Sequence, residues 1–100
     1  MEYTADHSGD ALCVRISGVL TFDDHERFKS IVDLIAKGAE SQITLDLAQT
    51  KMIDSAGIGM LLLANDKAAK ELKKLNLTGV TGHVAKVIEL SKVDQIIPIS

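Results

Sequence analysis

Lys51-Met52-Ile53-Asp54-Ser55-Ala56-Gly57-Ile58-Gly59-Met60-Leu61-Leu62-Leu63-Ala64 is the stretch whose reading decides the fold. The run before it, Ile43-Thr44-Leu45-Asp46-Leu47, alternates apolar and polar residues and predicts a strand over 42–47. The run after Ser55 is apolar at helical spacing and predicts a helix from about 55 to 73. A strand that feeds a helix through small polar residues leaves free backbone N–H groups at the helix start, where anions are favoured. Ser55 stands at or next to that N-cap. Its chemistry allows two roles, a cap alone or a cap that is also a switch.

Outward from this junction the chain alternates strand and helix. Tyr3 and Ala5 alternate weakly with Glu2, Thr4 and Asp6, and predict a marginal edge strand. Ser8-Gly9-Asp10 is turn chemistry. Leu12, Val14 and Ile16 alternate with Cys13, Arg15 and Ser17, a strand that Gly18 ends. Asp23 and Glu26 have the spacing of a capping box. Phe28, Ile31, Val32 and Ile35 follow at helical spacing, with Phe22 near the start and Gly38 as the stop. The loop 48–54 leads into the second helix, whose apolar set is Ile58, Leu61, Leu62, Ala68 or Ala69, and Leu72. Leu75 and Leu77 mark a short strand closed by Gly79. Thr81 or Gly82 opens a third helix, with Val84, Val87, Ile88 and Ser91 on one face. Pro98 cannot donate to a ladder, so the last segment, Ile96-Ile97-Pro98-Ile99, lies at an edge or outside the sheet. Strands alternating with helices imply right-handed crossovers. The expected fold is α/β, a single domain over 1–100. Its mixed sheet has four to five strands in the order β-β-α-β-α-β-α, with a short terminal extended segment and helices packed on it.

Composition narrows the function. One hundred residues support one modest core, and 46% apolar with 25% charged residues describes an ordinary soluble globular chain. A net charge of −3 argues against nucleic-acid binding, which needs a basic face, and three aromatics without Trp offer no stacking platform. Cys13 is the only cysteine, so no internal disulfide forms and the expected setting is reducing, cytoplasmic by default. The polar stretch Met1–Asp10 does not read as a signal peptide, and the Met60–Ala64 run is too short to cross a bilayer. The Lys67, Lys70, Lys73, Lys74 cluster suits a helix C-terminus without any ligand.

Catalytic readings find little support. His7, His25 and His83 share no ligand spacing with an acid or with Cys13, so no metal site is expected. Asp54-Ser55-Ala56-Gly57 lacks the glycine two residues before the serine that a nucleophile elbow needs. Gly57-Ile58-Gly59 is half of a dinucleotide fingerprint, but Leu62 stands where the third glycine belongs. No cofactor and no enzymatic activity are expected. The second helix is more informative. Ile58, Leu61 and Leu62 point to one side, and Met60, Leu63 and Ala64 to another. Such a helix is either flanked on both sides or exposes a contact patch beside Ser55.

Asp54-Ser55-Ala56-Gly57-Ile58-Gly59 after the 43–47 strand resembles the signature of anti-sigma factor antagonists, the bacterial STAS domains. Gly18-Val19-Leu20-Thr21 before the first helix agrees with it. So do the 75–79 strand and the closing helix followed by Val93-Asp94-Gln95-Ile96-Ile97-Pro98, and the resemblance spans essentially the whole chain. It implies a binding module without catalysis of its own. In the family, a partner that is both kinase and anti-sigma factor phosphorylates the serine after the aspartate, a serine phosphatase reverses this, and the unphosphorylated form binds the partner. The resemblance makes Ser55 the phosphoacceptor. It places Asp54, Ala56, Gly57, Gly59, Met60, Leu63 and Thr21 with Ser55 in the partner-binding surface. Thr21 stands where family members often carry an acid. Relatives of this size serve sigma-factor switches, other bacterial partner switches, and lipid-transport ABC complexes as a cytosolic subunit. The last of these is the alternative reading, with Ser55 unmodified. Phosphorylation adds about −1.5 to −2 charges and three acceptor oxygens. At a helix N-terminus that charge is tolerated, so the expected effect is on docking and not on the fold.

Overall fold

The computed structural model describes residues 1–100. It contains strands β1 (Glu2–Ser8), β2 (Ala11–Leu20), β3 (Gln42–Ile53) and β4 (Lys74–Thr78), and helices α1 (His25–Lys37), α2 (Ser55–Lys70) and α3 (Gly82–Leu90). The sheet order is β1-β2-β3-β4. β1 and β2 form an antiparallel hairpin, and β2-β3 and β3-β4 are parallel. This is the mixed α/β sheet that the alternation of elements implies.

One face of the sheet is the core face. Leu12, Val14 and Ile16 of β2, Ile43, Leu45 and Leu47 of β3, and Leu75 and Leu77 of β4 are buried together with the apolar sides of all three helices. α2 packs against α1, β3 and β4, and α3 against β3. The opposite face is polar and faces water. Thr4, Arg15, Asp46 and Thr78 stand side by side across all four strands. Arg15 there pairs with Asp6 and lies 3.8 Å from Asp46.

Several boundaries differ from the sequence reading. β2 does not end at Gly18. That residue has a left-handed backbone (φ +85°) opposite one of two bulges in β3, and the strand continues through it to Leu20. β3 likewise runs through the 48–53 segment expected as loop, because the extended β2 pairs with it as far as Leu20 with Ile53. The bulges break the period of two, so the buried positions become Leu47, Thr50 and Ile53, three residues apart. Buried Thr50 donates from Oγ1 to the Ile16 carbonyl at 2.8 Å. Asp23 does not cap the first helix. A 3₁₀ turn over Phe22–Asp24 precedes α1, and the Asp24 carboxylate accepts from the Thr21 N–H at 2.9 Å. Phe22 is therefore 70% exposed. α2 stops at Lys70, and Leu72, expected on the core face, takes φ +60° and is 91% exposed. Ser91 lies just beyond α3 and is exposed. The terminal segment stays outside the sheet except for a bridge between Leu77 and Ile99, as Pro98 requires.

Lys73, read with Lys67, Lys70 and Lys74 as a basic cluster suited to the C-terminus of its own helix, has a different structural task. Its Nζ donates to the carbonyls of Ile35 (2.5 Å) and Gly38 (2.6 Å), closing the C-terminus of α1. Lys73→Met removes these charge-assisted bonds. The expected loss is about 1 kcal/mol, and the thermal midpoint falls by roughly 4–8 °C in a melt followed by circular dichroism.

Three carboxylates tie the ends of elements together and titrate below their ordinary range. Ser41 donates to Asp10 from its hydroxyl and from its N–H (2.9 Å), and both bonds lower the Asp10 pKa. His7, 2.5 Å from Glu40, lowers the Glu40 pKa. Burial pushes Asp24 up, but the Met1 amino group at 2.6 Å and the Thr21 N–H outweigh it and hold Asp24 low. A depressed folded pKa means that the fold prefers the ionised form. The stability this contributes is complete above the ordinary carboxylate range and is lost as pH falls through the folded values. Melts from pH 7 downward should therefore show the midpoint falling below about pH 4, with a shallower fall in Asp10→Asn.

Candidate functional site: the β3–α2 junction

β3 ends at Ile53 on the core face, and the chain turns into α2 at Asp54. Asp54, not Ser55, is the N-cap. Its Oδ1 accepts from the Gly57 N–H at 2.8 Å, and its own carbonyl accepts from the Ile58 N–H at 3.0 Å. The second carboxylate oxygen accepts from the Phe22 N–H at 3.3 Å, and the Asp54 N–H donates to the Leu20 carbonyl at 3.3 Å. Asp54 thus ties the β2–α1 turn to the start of α2 and brings the Thr21 segment beside Ser55. With the cap supplied by its neighbour, Ser55 is an exposed first helical residue whose hydroxyl the fold does not need. The N–H groups of Ser55 and Ala56 precede the first intrahelical bond and stay open.

The two glycines of the motif differ in role. A Cβ on Gly57 would lie 2.4 Å from the Leu20 carbonyl oxygen and 2.6 Å from Ile53 Cγ1. Gly57 is buried and lets the first turn of α2 sit directly on the ends of β2 and β3, a packing role. A Cβ on Gly59 would meet nothing within 4 Å, and the backbone there is not left-handed. No demand of the fold explains a glycine at that position.

The doubly apolar character of α2 is resolved in favour of flanking. Met60 is 3% exposed and Ala64 is fully buried, both within the core that α2 forms with α1, β3 and β4. Met60 therefore does not belong to an exposed partner-binding surface. Ala56 is half-buried against the core, and Thr21 is half-buried with its N–H held by Asp24. What α2 presents outward is Ser55, Gly59 and Leu63, at i, i+4 and i+8 on one stripe, with Leu63 46% exposed. Sequence reasoning missed the rest of the apolar rim. Val19 and Met52 are register partners on the outer face at the ends of β2 and β3, both are exposed, and Phe22 follows them on the turn. Their signal was lost because the sequence reading ends β2 at Gly18 and makes 48–54 a loop, so neither Val19 nor Met52 is assigned to a strand face. No group of histidines, cysteines and carboxylates is placed to hold a metal ion, and no helix is long and apolar enough to cross a membrane.

A four-stranded mixed sheet with helices on one face, and a capped, exposed strand-to-helix junction at its end, make up a small α/β unit of the STAS fold. The chain belongs to the STAS family: the family model described as "Mlab, STAS domain" matches residues 3–98. A STAS-domain containing protein of Pseudomonas aeruginosa is 29% identical over 92 residues, covering 92% of this chain and 90% of the relative. Among solved structures, an anti-sigma factor antagonist from Mycobacterium paratuberculosis superposes with a TM-score of 0.86 at 15% identity, over 98% of this chain and 83% of that one. The Bacillus cell fate determinant SpoIIAA in its phosphorylated form gives 0.74 at 17% identity, over 99% and 91%. A sulfate transporter family protein from Wolinella succinogenes gives 0.77 at 19% identity, over 88% and 71%. STAS domain proteins are regulatory binding proteins and not typically enzymes.

Proposed function

We propose that residues 1–100 act as one phospho-regulated binding domain in bacterial signalling, a cytoplasmic partner switch resembling an anti-sigma factor antagonist. Unphosphorylated, it binds a serine kinase that is also an anti-sigma factor; phosphorylation of Ser55 releases that partner, and a serine phosphatase resets the switch. The observation that carries this reading is the division of labour between Asp54 and Ser55. Asp54 does the capping, so the adjacent Ser55 hydroxyl is exposed and free to accept a phosphoryl group. SpoIIAA, which shares the fold, exists in unphosphorylated and phosphorylated forms.

The docking surface is the stripe Ser55, Gly59 and Leu63, with Asp54, Ala56 and Thr21 shaping its base. The exposed Phe22, Val19 and Met52 extend it across the junction. Gly59 leaves open space in which a partner's backbone can approach the helix. The phosphate does not replace the cap, because Asp54 already occupies the Gly57 N–H. It projects outward next to the Asp54 carboxylate, with the open Ser55 and Ala56 N–H groups and the helix dipole offsetting its charge. Its effect is bulk and negative charge at the contact surface.

Incubation with radiolabelled ATP and the kinase from the native host tests the reading. Wild type should take up label at Ser55, and Ser55→Ala should take up none. The occurrence of the same fold in a sulfate transporter family protein favours a second reading, in which the domain is an unmodified subunit of a transport (ABC lipid-transport) complex. In that case no label enters and a permease complex is the partner recovered.

A further inference from the structure

We propose that the free edge of β1, with the groove that separates it from α1, accepts an extended, basic segment of another polypeptide as a fifth strand. The two edges of the sheet are treated differently. At β4 the chain covers its own edge: the Leu77 N–H donates to the Pro98 carbonyl at 2.9 Å and the Ser100 N–H to the Leu77 carbonyl at 2.8 Å. β1 pairs with β2 alone, and its outer side has no such cover over seven residues. Uncovered edges of this length are templates for strand addition.

The space beside the edge fits such a guest. Two adjoining cavities of about 610 and 450 Å³ lie between β1 and α1 and share Tyr3 and Ser30 in their walls. Half-buried Tyr3 and Leu34 give this groove an apolar floor. Its lining is acidic on balance: Asp23 of the turn before α1 and Glu26 and Asp33 of α1 have no ion-pair partner, whereas Arg27 is paired with Glu2 and Lys37 is the one unpaired lysine. Glu26 and Asp33 are about 10 Å apart along the helix axis. In an added strand, side chains facing the groove recur about every 6.7 Å, so lysine or arginine side chains at i and i+4 stand about 13 Å apart, flank an apolar residue, and reach both carboxylates through their long flexible stems. The Arg27–Glu2 pair at one end of the groove is more than half exposed on both sides, and such surface pairs are weak enough to yield. A second copy of this chain is the poorer occupant, because pairing two β1 edges sets two linings of net negative charge against each other.

This surface is separate from the β3–α2 junction, so the proposal stands apart from any role of Ser55. The probe is the synthetic peptide Thr-Lys-Thr-Val-Thr-Lys-Thr, titrated into ¹⁵N-labelled protein. We expect saturable shift changes confined to the amides of β1 and the exposed face of α1. Binding should weaken about tenfold or more in Glu26→Lys/Asp33→Lys, two exposed sites whose change leaves the melt intact. A peptide N-methylated at alternate amides, unable to join a ladder, should lose binding. No saturable binding at millimolar peptide overturns the proposal. So do equal binding by the N-methylated peptide or by a version with glutamate for lysine, and a dimer of the free protein joined through β1 in light scattering.

Discussion

Gly57→Ala should be the most damaging single change in the junction, although it adds one methyl group. The new Cβ would be 2.4 Å from the Leu20 carbonyl oxygen and 2.6 Å from Ile53 Cγ1, and the nearer of these is backbone that cannot rotate away. Either α2 lifts off the ends of β2 and β3 or the β2–α1 turn moves. Overpacking of this kind costs about 3 kcal/mol, enough to lower the thermal midpoint by roughly 12 °C or more. Gly59→Ala is the matched control. The added Cβ meets open space in a helix interior, where alanine is better than glycine by about 0.5–1 kcal/mol, so the midpoint should rise. Melts of the two variants side by side decide the matter. If both lower the midpoint equally, the division of the glycines into a packing residue and an outward-facing one is wrong. If Gly59→Ala is more stable yet binds its partner less well, the open space at residue 59 is a seat for that partner.

Ser55→Asp should have the opposite profile, a fold little changed and a partner lost. Asp54 keeps the cap, Ser55 makes no bond the fold requires, and the helix dipole offsets the added charge. The midpoint should move by less than about 3 °C. At the contact surface the same charge is left beside Asp54 without a counter-ion. Uncompensated charges in an interface cost about 2 kcal/mol or more, a loss of roughly thirtyfold in affinity. A pull-down from the native host with wild type and Ser55→Asp identifies the protein that is lost, and calorimetry with that protein measures the change. Unfolding of Ser55→Asp with undiminished affinity in its folded fraction would exclude a docking block. Equal affinity in wild type and variant would exclude Ser55 as the switch.

The main lines of the architecture were legible in the residues. Periodicity of two in Leu12, Val14, Ile16 and in Ile43, Leu45, Leu47 marked two central strands, and helical spacing in Phe28, Ile31 and Ile35 marked α1. These signals are local, because each element buries one side and the period of burial is written along the chain. The junction was legible for the same reason: an acid, a hydroxyl and glycines between a strand and a helix are local turn and cap chemistry. Bulges were not legible. After Leu47 two extra residues in β3 shift which side chain faces the core, and a reading that expects strict alternation ends that strand too early. The partner strand, remote in sequence, holds it on course.

The sequence by itself determined the order of the elements, their apolar sides and the presence of a polar strand-to-helix turn at Asp54-Ser55. Only the tertiary structure decided which of these residues are available. Met60 and Leu63 are alike in hydropathy and stand on the same helix, yet the packed core covers one and leaves the other largely in water. Gly57 and Gly59 are the same residue two positions apart, yet Leu20, remote in sequence, closes over one and nothing approaches the other. Asp54 and Ser55 can both cap a helix, and the Phe22 and Gly57 N–H groups that reach Asp54 settle which of them does. Availability depends on what chain segments far apart in sequence bring alongside, and a local pattern does not contain that information.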